Sequence, residues 1–145
     1  MSKKKVLVIS GPNLNLLGNR EKNIYGEVSL EKIHLKMEDN SIKNNLLVEC
    51  KQSNSESEII NFIQSAQNKF DGIIINAGGY THTSVSIRDA LNYFNGYIIE
   101  IHMSNIHTRE EFRKTSMISG VSDGLIVGFG PDSYYLALKA ITSKI

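Results

Sequence analysis

A doubly wound α/β fold, a parallel sheet held between two helical layers, is predicted by two observations. Short runs rich in β-branched residues recur along the chain, and stretches with helical apolar spacing separate them. The runs are Val6-Leu7-Val8-Ile9, Leu46-Leu47-Val48-Glu49-Cys50, Ile73-Ile74-Ile75, Tyr97-Ile98-Ile99-Glu100-Ile101 and Leu125-Ile126-Val127. Each reads as a strand buried on both faces. Five such strands favour the flavodoxin-like order 2-1-3-4-5 in a three-layer sandwich.

The intervening segments carry helix signals. Ser29 caps a predicted helix with Leu30, Ile33 and Met37 on one face. Ser55 with Glu58 makes a capping box ahead of Ile59, Phe62, Ile63 and Ala66, and Thr108 with Glu111 makes another. Residues 86–93 read as a short helix, and Pro131 opens a last one with Tyr134, Leu138, Ile141 and Ile145 in helical register. There is no internal repeat, linker or low-complexity segment, so residues 1–145 are expected to form a single domain.

Composition narrows the function. Sixteen basic against fifteen acidic residues give a net charge of +1, which supplies no electrostatic footprint for nucleic acid or an anionic membrane. The apolar runs are too short to cross a bilayer, and Lys3-Lys4-Lys5 leads straight into a strand without a signal-peptide pattern, so a cytoplasmic protein is expected. The single cysteine, Cys50, has no partner for a disulfide or a zinc motif and reads as a small hydrophobe.

Under this fold three polar clusters fall at strand ends. Asn13 follows strand 1, Asn76 closes strand 3 and His102 follows strand 4. Those strands are neighbours in the order 2-1-3-4-5, and open α/β sheets bind ligands at the carboxyl edge where the order reverses. Strand 2 ends in Lys51-Gln52-Ser53 and carries no comparable cluster.

The first cluster begins a long loop, from Gly11 to Gly26, where an α/β protein usually makes a brief turn. Gly18 and Gly26 bracket Arg20 and Tyr25, so the segment at about 18–26 can swing as a lid and carry both onto a ligand. An ordinary irregular loop is the plain alternative. The second cluster, Asn76-Ala77-Gly78-Gly79-Tyr80-Thr81-His82-Thr83-Ser84, lets backbone approach a ligand and leads into a helix N-terminus suited to anions. Its plain alternative makes Thr83 and Ser84 helix caps and His82 a surface residue. The third, Glu100-Ile101-His102-Met103-Ser104-Asn105, places Glu100 and His102 on one face of a strand, where the carboxylate fixes the imidazole tautomer for proton transfer. A hydrogen-bonded structural histidine is the alternative there. His34 and His107 have no such company.

Together these segments resemble one family, the type II 3-dehydroquinate dehydratases of the shikimate and quinate pathways. The resemblance rests on GPNLNLLGNRE with Tyr25-Gly26, on NAGGYTHTS followed by Ile87-Arg88-Asp89-Ala90-Leu91, on EIHMSN, on Arg109-Glu110-Glu111-Phe112-Arg113 and on GLIVGFG. It implies a flavodoxin-like lyase that dehydrates 3-dehydroquinate to 3-dehydroshikimate through an enolate, without metal or organic cofactor. It also implies that Tyr25 is the base, Arg20 the group that keeps that tyrosine ionisable, and His102, oriented by Glu100, the general acid. Asn13 and Asn76 would stabilise the enolate oxygen. His82, Met103, Ser104 and Arg113 would bind substrate, and Asp89 would reach the site of an adjacent subunit in a dodecamer built from four trimers.

Three departures from the family pattern stand out. Lys22 follows the Arg-Glu pair where proline is usual, Ala77 follows Asn76 where proline is frequent, and Lys114-Thr115 follow Arg113 where histidines are common. None carries an implied role. Two rival functions are a non-catalytic α/β module that clamps a small carboxylate and a hydrolase using Ser84, His82 and Asp89. The hydrolase lacks a G-x-S-x-G elbow.

Overall fold

The computed structural model describes residues 3–18 and 28–145. Strands β1 (Lys4–Ser10), β2 (Leu46–Gln52), β3 (Gly72–Asn76), β4 (Tyr97–His102) and β5 (Gly124–Val127) form one parallel sheet in the order β2-β1-β3-β4-β5. All five predicted runs are strands, and the predicted order is the observed one. Helices α1 (Leu30–Lys43), α2 (Glu56–Ala66), α3 (Val85–Tyr93) and α4 (Asp132–Thr142) connect or follow them.

Alternation along the central strands divides the core. Val6, Val8, Ile74, Ile99 and Ile101 pack with α1 and α4, while Leu7, Ile9, Ile73, Ile75 and Ile98 pack with α2 and α3. Each fully buried isoleucine contributes about 1.5–3 kcal/mol relative to an exposed one. The edge strands depart from the expectation. In β2 exposed residues alternate with covered ones, and Leu47 and Leu125 are both 47% exposed, because an edge strand is not covered by helices on both faces.

The caps at Ser29 and Ser55 form as predicted, each accepting from the backbone N–H three residues on. At Ser55 only half of the box closes, because the Ser55 N–H donates to Ser53 Oγ. Helix α3 starts one residue earlier than predicted, capped by Ser84, whose Oγ accepts from the Ile87 N–H. Helix α4 stops at Thr142, short of Ile145, although Ile145 still packs against the core.

The Thr108–Glu111 box is not a helix start. Thr108 Oγ1 donates back to the Asn105 carbonyl at 2.9 Å, so the hydroxyl closes a turn instead of capping. Two 3-10 turns, Ile106–Thr108 and Glu111–Lys114, occupy the segment. Among the described residues no helix is long and apolar enough to cross a membrane. Burial, with smaller contributions from Glu38 and Glu49, pushes the Cys50 thiol up to about 12, so it is an unreactive packing residue.

Candidate active site

A pocket opens at the carboxyl edge of the sheet, where β1 and β3 diverge. It is lined by Asn13 from the loop after β1, Asn76 from the end of β3, Gly78, Gly79 and His82 from the following turn, and His102, Met103 and Ser104 from the end of β4. Arg109 and Arg113 close one side, and Leu14, Leu16, Leu17 and Ile106 supply apolar walls. The described residues of the three predicted clusters therefore converge.

Glu100 and His102 sit deepest. Period-two alternation puts both on one face of β4, and Glu100 Oε2 lies 2.5 Å from His102 Nε2 with the carboxylate 0% and the imidazole 5% exposed. Ser116 Oγ donates to Glu100 Oε2 at 3.0 Å, and Ser119 Oγ donates to Oε1. Burial alone pushes the Glu100 carboxyl up. Hydrogen bonds from His102 and Ser119, the adjacent imidazole charge and the Ser116 bond more than offset it, and the group is held below the ordinary carboxylate range. An ionised Glu100 claims Nε2, so Nδ1 is the ring nitrogen left for a ligand.

His82 is a pocket residue, not a bystander on the surface. Its ring stacks near that of His102, with centroids 6.3 Å apart and 23° between planes. Nδ1 lies 2.8 Å from the Thr115 carbonyl, which can only accept, so Nδ1 carries the hydrogen. Burial lowers the His82 pKa; the Thr115 bond opposes this, and the charges of His102 and Arg113 add to the lowering against Glu100. A neutral His82 presents Nε2 as an acceptor.

The asparagines are held by backbone geometry. Asn13 adopts a left-handed conformation at φ 70°, which asparagine tolerates better than most residues, and its N–H donates to Asn54 Oδ1 at 3.0 Å. Gln52 Nε2, at the end of β2, donates to the Gly11 carbonyl at 3.2 Å. The edge strand thus braces the loop without lining the pocket. A Cβ on Gly11 would stand 2.4 Å from the Ala77 carbonyl oxygen, so the chain crossing beside Asn76 requires glycine there. Gly78 has φ +60°, whereas Gly79 faces open space.

Arg113 Nε donates to Glu110 Oε1 at 2.9 Å, and its guanidinium lies 5.1 Å from the Phe112 ring centroid. Arg109 donates to Ser104 Oγ at 3.3 Å. Its place in the pocket was not anticipated; the spacing of two arginines four apart in R-E-E-F-R was the available signal. Ser116 and Ser119 carried no motif that announced their grip on Glu100.

Ser84 lies outside the pocket. It is 2% exposed, and its hydroxyl donates to Glu56 while accepting the Ile87 N–H. With its hydroxyl committed to Glu56 and to capping α3, Ser84 has no place in a Ser84–His82 hydrolase. Asp89 also lies away from the pocket, exposed on α3 beside Ile60, Ser86 and Tyr93. Arg20 and Tyr25 fall outside the described residues. Gly18, at the near end of their loop, has φ 88°.

The fold and the pocket together define a flavodoxin-like α/β protein with a buried carboxylate–imidazole pair opening on an amide- and guanidinium-lined cleft. The sequence profile described as "Dehydroquinase class II" matches residues 4–142, and the chain belongs to this family. It is 54% identical over 137 residues to the 3-dehydroquinate dehydratase of a Nitratiruptor species, covering 94% of this chain and 88% of that protein. It is 52% identical over 138 residues to the 3-dehydroquinate dehydratase of Caldanaerobacter subterraneus subsp. tengcongensis, covering 95% and 93%. The crystal structure of the type II dehydroquinase from Butyrivibrio crossotus superposes with a TM-score of 0.95 at 47% identity, covering 97% of this chain and 99% of that one.

Proposed function

We propose that this chain is a hydro-lyase that dehydrates 3-dehydroquinate to 3-dehydroshikimate through an enolate, acting as one catalytic domain. The observation that carries the reading is the buried Glu100–His102 pair facing a pocket that also holds Asn13, Asn76, His82 and Arg113. A module that only clamps a carboxylate has no need of a carboxylate-oriented imidazole at the pocket floor.

The reaction needs one proton removed beside a ketone and one hydroxyl expelled. Tyr25, as phenolate, takes the proton, and the electron pair moves onto the ketone oxygen. Bringing a tyrosine from about 10 to near 7 requires roughly 4 kcal/mol. One guanidinium about 4 Å away at an effective dielectric of about 20 supplies about that much, which is the role of Arg20. Asn13 and Asn76 stabilise the enolate oxygen with amide donors, through a held water. The enolate then collapses and expels the hydroxyl, which leaves as water after protonation by His102. Glu100, held ionised, stabilises the imidazolium from which that proton comes, and Nδ1 is the donor.

Ser104 with its neighbouring backbone amides, His82 and Arg113 bind the carboxylate and ring hydroxyls of the substrate. Neutral His82 accepts from a ring hydroxyl through Nε2. Asp89, exposed on the outer surface of α3, completes the site of a neighbouring subunit in a dodecamer of four trimers. A cytoplasmic setting belongs to the same reading.

The direct test is to add 3-dehydroquinate to the purified protein and follow the ultraviolet absorption of the conjugated product. Appearance of that absorption is expected. Borohydride added during turnover should leave the protein mass unchanged, and a trapped adduct would replace the enolate route with an imine.

A further inference from the structure

Among the described residues Tyr134 is the largest fully buried side chain of the core, on α4 among Val8, Ile74, Ala137 and Leu138. A phenylalanine would fill that apolar space and need no partner, whereas a buried hydroxyl costs free energy unless it is paired. The pairing it finds is specific. Tyr134 Oη lies 2.9 Å from Ser10 Oγ and accepts from Asn76 Nδ2 at 3.3 Å. Ser10 and Asn76 are register partners, the last residues of β1 and β3, so the hydroxyl bridges the two strand ends at which the sheet order reverses. Burial first, against the Ser10 and Asn76 bonds, pushes the phenol up to about 12. It stays neutral and keeps its hydrogen at every working pH.

Asn76 is then held at both ends of its carboxamide. The Gly78 N–H donates to Oδ1 at 3.2 Å, and one Nδ2 hydrogen goes to Tyr134. Asn76 is 4% exposed and lines the pocket, so its second Nδ2 hydrogen is the donor left for a ligand. We propose that Tyr134 is a positioning residue for the dehydration, fixing the Asn76 carboxamide so that this remaining hydrogen is presented to the water that stabilises the developing enolate oxygen. The inference rests on the oxyanion role given to Asn76 above. Preorganised donors count because they need no reorientation as charge develops.

The test compares Tyr134→Phe, Asn76→Ala and the double variant in steady-state dehydration, with thermal unfolding of each as a control. Deleting an oxyanion donor lowers kcat by about 10²–10³, so loosening one should lower it about tenfold with KM within about twofold. In the Asn76→Ala background, Tyr134→Phe should change kcat by less than about twofold, since the groups act as a unit. An equal loss in both backgrounds, or no loss in either, overturns the proposal.

A second readout does not need turnover. The order parameter of the Asn76 side-chain amide, measured by NMR relaxation and assigned through Asn76→Ala, should fall in Tyr134→Phe. An unchanged order parameter means that Gly78 alone holds the amide, and the proposal fails. Failure of the unmodified protein to dehydrate 3-dehydroquinate would overturn the functional reading instead, while the amide order parameter still decides whether Tyr134 positions Asn76.

Discussion

Glu100 Oε2 lies 2.5 Å from His102 Nε2 at the end of β4, with the carboxylate removed from solvent and held by two serine hydroxyls. With Nε2 taken by the carboxylate, Nδ1 is the ring nitrogen turned away from it. General acids contribute about 10²–10⁴ in rate, and His102→Ala should lose an amount in this range. Loss of hydroxide should slow more than proton removal, so exchange of the substrate's acidic hydrogen with deuterated solvent should outrun product formation. Equal falls in exchange and elimination would take the acid role from His102. Glu100→Gln should reproduce the same imbalance more weakly.

The same pair makes stability depend on pH. Burial pushes Glu100 up, but the donors around it hold its carboxyl below the ordinary value of 4.5. As pH falls through that value the unfolded chain takes up the proton first, so the Glu100 contribution is fully present above it. The contribution is then lost as pH drops toward the folded value. Ser119→Ala removes one of the donors and should shrink this contribution. Urea unfolding followed from about pH 7 down through the ordinary carboxylate range should show the gap between the variant and the unmodified protein narrowing as pH falls. A stability gap that does not change with pH would mean that Ser119 acts by packing alone.

Much of this was legible in the sequence, for identifiable reasons. Strands such as Ile73-Ile74-Ile75 announce themselves because buried parallel strands are uniformly β-branched, and the chain order of strands and helices then restricts the sheet topology. Glu100 and His102 were legible because alternation in a strand is a fixed geometric rule. Ser116 and Ser119 were not, since their meaning depends on the segment before β5 folding back onto Glu100 of β4, and no local spacing encodes that. The Thr108–Glu111 box misled because a threonine hydroxyl can close its own turn as easily as cap a helix. Tyr134 was readable as a core position, but its hydroxyl acquires a role only when β1 and β3 bring Ser10 and Asn76 side by side.

The proposed base is Tyr25, which with Arg20 lies outside the described residues. Tyr25→Phe should remove almost all turnover while substrate still binds, measured by isothermal titration, because the ring is kept and the base is lost. Near-normal rates would end the assignment. Arg20→Ala should lower turnover nearly as far and move the residual activity to higher pH, as the phenolate loses its cationic neighbour. An unchanged pH profile would place Arg20 in some other role.

Asp89 provides the test of assembly. It is exposed on α3, away from the pocket of its own chain, beside the similarly exposed Val85 and Tyr93, which are 56% and 64% accessible. A carboxylate so placed contributes to catalysis only if it enters the site of a neighbouring subunit. Asp89→Ala should then weaken substrate binding or subunit association although Tyr25 and His102 are untouched. Mixing it with Tyr25→Phe should regenerate activity, since some hybrid assemblies contain an intact Tyr25 facing an intact Asp89 from another subunit. The recovered activity should follow the statistical fraction of such pairings as the mixing ratio is varied. Sedimentation of the unmodified protein as a fully active monomer, or mixtures no more active than their parts, would refute the shared site.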